Sequence, residues 1–167
     1  MKKLIVIAAV LLGITTTSFA QLSDVASSKA TIVADLSVSK QTDLDFGSIY
    51  ANAAAGTVIK TANAAGVRTL TGGVHLGSDN GSTASFLISG SNTDQIMVSY
   101  PSTITLTKSA GVTMSYIPAG SVASGSKITL AGGTATLWIG GTLAVAQNQV
   151  AGVYSNASDL KVTVTYP

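Results

Sequence analysis

Residues 31–39 read Thr-Ile-Val-Ala-Asp-Leu-Ser-Val-Ser, and their order decides the class of fold. Ile32, Ala34, Leu36 and Val38 fall on one side of an extended chain, and Thr31, Val33, Asp35, Ser37 and Ser39 on the other. Successive side chains of a strand point to opposite faces, so this period of two predicts a strand from Thr31 with one face to be covered. A helix would need apolar residues three and four apart, and no 11-residue window after position 20 supplies them convincingly.

Outward from this stretch the same period recurs in short pieces. Leu44 and Phe46 continue it up to Gly47; Val58 and Ile59 follow, then Leu70, Val74 and Leu76 around Gly72-Gly73. Ala84, Phe86, Ile88 and Gly90 alternate, as do Ile96, Val98 and Tyr100 before Pro101. Later pieces are Ile104 with Leu106, Val112 with Met114 and Tyr116, Ile128 with Leu130, Leu137 with Ile139, and Leu143 with Val145. The last holds Leu160, Val162, Val164 and Tyr166. Asp79-Asn80-Gly81-Ser82 is the strongest turn signal and predicts a tight hairpin. Ser109-Ala110-Gly111, Pro118-Ala119-Gly120, Ser124-Gly125-Ser126, Gly132-Gly133 and Gly140-Gly141 are assigned to turns as well. About ten short strands at such spacing, with no room for crossover helices, predict an all-β antiparallel sandwich or barrel. Each large side chain fully buried between facing sheets contributes roughly 1.5 to 3 kcal/mol.

Composition narrows the function. Charged residues are 10% of the chain and Ser plus Thr fill 42 of its 167 positions, so the outward faces are polar and nearly uncharged. The first 20 residues, MKKLIVIAAVLLGITTTSFA, have a basic start, an apolar run from Leu4 to Ile14 and the small residues Ser18 and Ala20 around Phe19. That order predicts a secretory signal cleaved after Ala20, since a membrane anchor needs about 17 to 25 apolar residues. Residues 21–30 are then a polar leader and 31–167 the folded domain. Without Lys2 and Lys3, seven basic residues balance seven Asp, which leaves no basic face for nucleic acid. No later stretch is apolar enough to span a bilayer, so the protein is expected in the periplasm in transit and then at the cell surface or outside.

Catalytic and metal-binding groups are sparse. The chain has no Cys, no Glu and a single His, so disulfides and thiolate chemistry are excluded and no enzymatic activity, metal or cofactor is expected. His75 alternates away from Val74 and Leu76 and is expected at the surface. Asp43 and Asp45 flank Leu44 and are assigned to solvated surface chemistry. Asn80-Gly81-Ser82 and Asn156-Ala157-Ser158 match the glycosylation pattern, which is frequent by chance. Trp138 alternates away from Leu137 and Ile139; it is either an exposed aromatic beside an edge or a residue of a strand covered on both faces.

The order of Leu44-x-Phe46-Gly47, Ala84-x-Phe86-x-Ile88-x-Gly90, Ile96-x-Val98-x-Tyr100-Pro101, Leu137-x-Ile139-Gly140-Gly141-x-Leu143-x-Val145 and Gly152-x-Tyr154-Ser155 resembles a widespread family of small exported bacterial domains of unknown function. The close, from Ala151 through Tyr154 to Val162-Thr163-Val164-Thr165-Tyr166, also resembles the spore coat protein U family and the archaic chaperone-usher pilins. Those pilins are incomplete immunoglobulin-like sandwiches, completed first by a periplasmic chaperone and then by the N-terminal extension of the next subunit, exported through an outer-membrane usher. The resemblance implies a fibre or coat subunit that assembles with copies of itself or homologous subunits. Leu160, Val162, Val164 and Tyr166 would be the partner-contacting terminal strand, with Tyr166 matching the penultimate pilin tyrosine. Archaic pilins usually carry a disulfide, and this chain has no Cys.

Two roles remain for residues 31–38. As a donor strand, Ile32, Ala34, Leu36 and Val38 are spaced to fill alternate pockets of a neighbouring molecule. As the first strand of their own sandwich they would belong to a self-contained secreted binding or adhesion module.

Overall fold

The computed structural model describes residues 21–109 and 111–167, so the segment 1–20, expected above to be a secretory signal, lies outside the described residues. Val33–Pro167 forms one compact unit. Residues 21–32 belong to a separate unit, carry no strand and are exposed throughout.

The compact unit is all-β, with ten strands among the described residues: β1 (Ser37–Thr42), β2 (Ile49–Lys60), β3 (Arg68–Leu76), β4 (Ala84–Ser89), β5 (Gln95–Ser99), β6 (Ile104–Thr107), β7 (Thr113–Gly120), β8 (Lys127–Thr129), β9 (Thr134–Val145) and β10 (Thr163–Thr165). All pairings are antiparallel. A seven-stranded sheet is organised by β9, whose first half pairs with β4 and whose second half pairs with β2 and β7. β1 extends it beyond β4, β3 beyond β2 and β6 beyond β7. A second sheet has the order β10-β5-β8.

The alternating residues fill two cores. Phe86 and Ile88 of β4 and Leu137 and Ile139 of β9 pack against Ile96 and Val98 of β5, with Leu130 and Val162, and so join the two sheets as a sandwich. Val58, Val74, Ile104, Tyr116, Leu143 and Val145 form the other core with Phe46, whose ring meets Tyr116 edge-on at 5.4 Å. Leu44 and Leu160 pack on both.

Several segments depart from the sequence expectation. Gly140-Gly141 is not a turn but the middle of β9, where the strand passes from β4 to β2. A Cβ at Gly140 would collide with the Lys60 carbonyl oxygen, so only glycine lets β2 and β9 come this close. Pro118-Ala119-Gly120 likewise lies within β7, with Pro118 opposite Gly141. β2 runs through the stretch 51–55, whose four alanines and Asn52 give no apolar alternation to read. Asp79-Asn80-Gly81-Ser82 turns the chain as expected, the Asp79 carboxylate accepting the Gly81 N–H at 2.9 Å. It is not a two-stranded hairpin, however, because β3 and β4 pair with different strands. The turn instead docks on the segment before β2, where Asp45 and Ser82 exchange backbone hydrogen bonds.

Candidate functional site

Among the described residues β1 is an edge strand that pairs with β4 alone. Val38 stands opposite Ile88 and Lys40 opposite Phe86. Directly opposed residues share a face, so Val38 and Lys40 project to the core side of the sheet. Val38 is nonetheless 39% exposed, and the side chain of Lys40 is 57% exposed in an ion pair with Asp43. The core-facing side of β1 is therefore only partly covered. β10 is one edge of the second sheet, pairing with β5 through Val164 opposite Val98. β1 and β10 approach each other with no ladder between them, so two unpaired strand edges border one seam.

Residues 33–36 lie at this seam. The Ala34 N–H donates to Ser91 Oγ at 2.8 Å. The Tyr166 hydroxyl donates to the Ala34 carbonyl oxygen at 3.0 Å and accepts the Ser91 N–H at 3.3 Å. Leu36 and Tyr166 both pack on the first core. Gly90 leaves the space they need, since a Cβ there would lie 2.8 Å from Tyr166 Oη and 3.1 Å from Leu36 Cδ1. Residues 33–36 with Asp94, Gln95, Tyr166 and Pro167 line an open groove of about 730 Å³.

The two segments singled out in the sequence thus meet, within one chain. Of the candidate donor residues, Ala34 and Leu36 are at the seam, Val38 is in β1 and Ile32, in the other unit, is 97% exposed. The strand expected from Thr31 begins at Ser37. β4 ends at Ser89, opposite Ser37, so residues 33–36 have no strand beside them and are held by side chains. Of the candidate partner-contacting residues, Val162 is buried, Leu160, Val164 and Tyr166 are half-buried, and the ladder covers only 163–165. β5 stops at Ser99, before Tyr100-Pro101, and offers no partner beyond Thr163.

Elsewhere the polar residues serve the scaffold. His75 is exposed. Asp43 and Asp45 lie between β1 and β2 rather than on one strand, and Asp45 caps the turn by accepting the Gly47 N–H at 2.7 Å. Among the described residues no three His, Cys, Asp or Glu gather as metal ligands. Both amides of the glycosylation patterns are engaged: Asn80 Oδ1 accepts from Arg68, and Asn156 Nδ2 donates to the Thr105 carbonyl and to Asp159. Trp138 is half-buried on central β9, its backbone N–H donating to Ser121 Oγ at 3.1 Å.

Sequence reasoning did not single out Ser91 or the buried cations Lys60 and Arg68 as structural residues. Gly90 carried a signal for the seam, though not for Ser91: it holds the core-facing parity of Phe86 and Ile88 with no side chain, and Tyr166, Leu130 and Leu36 fill its place. Lys60 shares the parity of buried Val58. Its ammonium reaches the Asn80 carbonyl oxygen at 2.6 Å; burial lowers its pKa below the ordinary 10.5, and the nearby Arg68 adds to the effect.

An antiparallel sandwich with an unladdered seam between its first and last strands is thus the class of protein that fold and site define. The chain belongs to the family described as Domain of unknown function (DUF4402), whose model matches residues 36–166 and so takes in all ten strands. Comparison with curated proteins and with solved structures gives no match.

Proposed function

We propose that the protein is an exported structural subunit of a bacterial surface fibre or coat, assembled by β-strand addition and without catalytic activity. The observation that carries this role is the meeting of residues 33–36 with Tyr166 at a seam between two unpaired edges. The contacts there are made by side chains on a segment outside any ladder, so the same segment of a second copy offers the seam identical chemistry. Strand addition supplies backbone hydrogen bonds to a free edge and pockets for alternate side chains, which suits Leu36 and Val38 beside Ile88. The nearly uncharged Ser/Thr surface permits dense packing of subunits without mutual repulsion. Under this role residues 1–20 are removed on export, a periplasmic chaperone and an outer-membrane usher are candidate partners, and the product reaches the cell surface.

A free-standing secreted binding or adhesion module is the second reading, favoured by the closure of the seam within one chain. Purification of the exported protein without any chaperone separates the two. Heat-resistant multimers support the fibre subunit; a strictly monomeric protein with residues 31–38 protected from proteolysis supports the module.

A further inference from the structure

We infer that Tyr166 is a latch that keeps the seam closed in the single subunit, and that residues 33–36 are a resident strap which the same segment of a second copy must displace. This rests on the strand-addition role proposed above. The latch is one hydroxyl serving two backbone groups: it donates to Ala34 and accepts from Ser91. Ser91 in turn holds the Ala34 N–H, so strap, β4–β5 connection and the end of the last strand close one hydrogen-bonded ring. No ladder reinforces it, because residues 33–36 precede β1 and Tyr166 follows β10. Ladder hydrogen bonds accumulate along a strand, whereas this closure depends on three bonds and the packing of Leu36. It holds the free edges in the isolated subunit and yields to a segment that can add a ladder. The occupant is a second copy, because the resident strap shows which chemistry the seam accepts.

Tyr166→Phe keeps the ring and its packing and removes only the hydroxyl, so the domain is expected to fold. The test uses the exported chain and a fluorescently labelled synthetic peptide of residues 31–39, with peptide incorporation and amide exchange at Ala34 as readouts. Incorporation and Ala34 exchange are expected to speed up roughly ten- to a hundredfold in Tyr166→Phe, the factor that two hydrogen bonds of ordinary net strength represent. Incorporation at equal rates in both proteins overturns the latch while leaving strand addition standing. No incorporation in either protein, together with no intermolecular exchange, overturns strand addition and the latch with it.

Discussion

Lys60 and Arg68 stand opposite each other across the β2–β3 ladder, and both are buried cations. Arg68 donates to the carbonyl oxygens of Phe46, Ser48 and Gly77 and to Asn80 Oδ1, at 2.9 to 3.0 Å. Lys60 reaches the Asn80 carbonyl. The pair is the polar clamp that holds segment 45–48 against 77–82; among the described residues its partners are carbonyl and amide oxygens rather than carboxylates, and Arg68 Nε is buried without a partner.

Removing the fork leaves four acceptors to be resolvated, so Arg68→Ala is expected to destabilise the domain by about 3–5 kcal/mol. Arg68→Lys recovers little, because one ammonium cannot reach four acceptors. Lys60→Met retains the apolar stem and removes a desolvated charge, and is expected to lie within about 1 kcal/mol of the parent. Urea unfolding of the three variants checks the order.

Tyr116 and Lys60 set the alkaline behaviour. Burial pushes the Tyr116 phenol up to about 12, and Asp159 adds to it. A raised folded value contributes stability that is present below the ordinary 10.0 and is lost as pH rises through 12. Lys60 has the opposite sign: its lowered value penalises folding at neutral pH, and the penalty is relieved as pH rises toward 10.5. Unfolding free energy followed by denaturant titration is expected to fall between pH 10 and 12. The fall should be smaller in Tyr116→Phe, and the preceding rise should vanish in Lys60→Met.

Gly140→Ala places a methyl group against the Lys60 carbonyl and must push β2 from β9. A loss of about 2–3 kcal/mol is expected, read as a lower denaturation midpoint. Gly125→Ala meets no atom within 4 Å, although its positive φ of 84° carries a backbone cost of about 1 kcal/mol.

Alternation made most of the fold legible because the strands bury one face each: Phe86-x-Ile88, Ile96-x-Val98 and Leu137-x-Ile139 are in the core as their spacing implies. It failed where the face is not what determines the strand. Ala51 to Ala55 form strand with no pattern, and Gly140-Gly141 reads as a turn although close approach of β2 is what requires glycine there. Residues 31–36 have the pattern without the ladder, since a strand also needs a neighbour and β4 ends too soon. The seam was legible as two apolar segments, Ile32 to Val38 and Leu160 to Tyr166. Their meeting through Ser91 and Gly90 was not, because a period identifies faces and not which faces touch.

Leu36→Asp puts a charge beside Tyr166 and Gly90 at a half-buried position. Leu36 packs at the margin of the first core and is not one of its buried members, so a cost of about 1–3 kcal/mol and a folded monomer are expected, with assembly abolished. Circular dichroism and size-exclusion chromatography on the same sample check both parts.

The chain contains no cysteine, so two introduced ones report only on the seam. The Ala34 backbone N–H donates to Ser91 Oγ at 2.8 Å, which makes residues 34 and 91 neighbours at the seam and the positions to test by cross-linking. Equal amounts of Ala34→Cys and Ser91→Cys subunits, mixed under assembly conditions and then oxidised, should give a 34–91 disulfide between chains, seen as a dimer on a non-reducing gel and confirmed by peptide mapping. Multimers without that cross-link, or a mixture that stays monomeric with both thiols free, would contradict strand exchange at the seam.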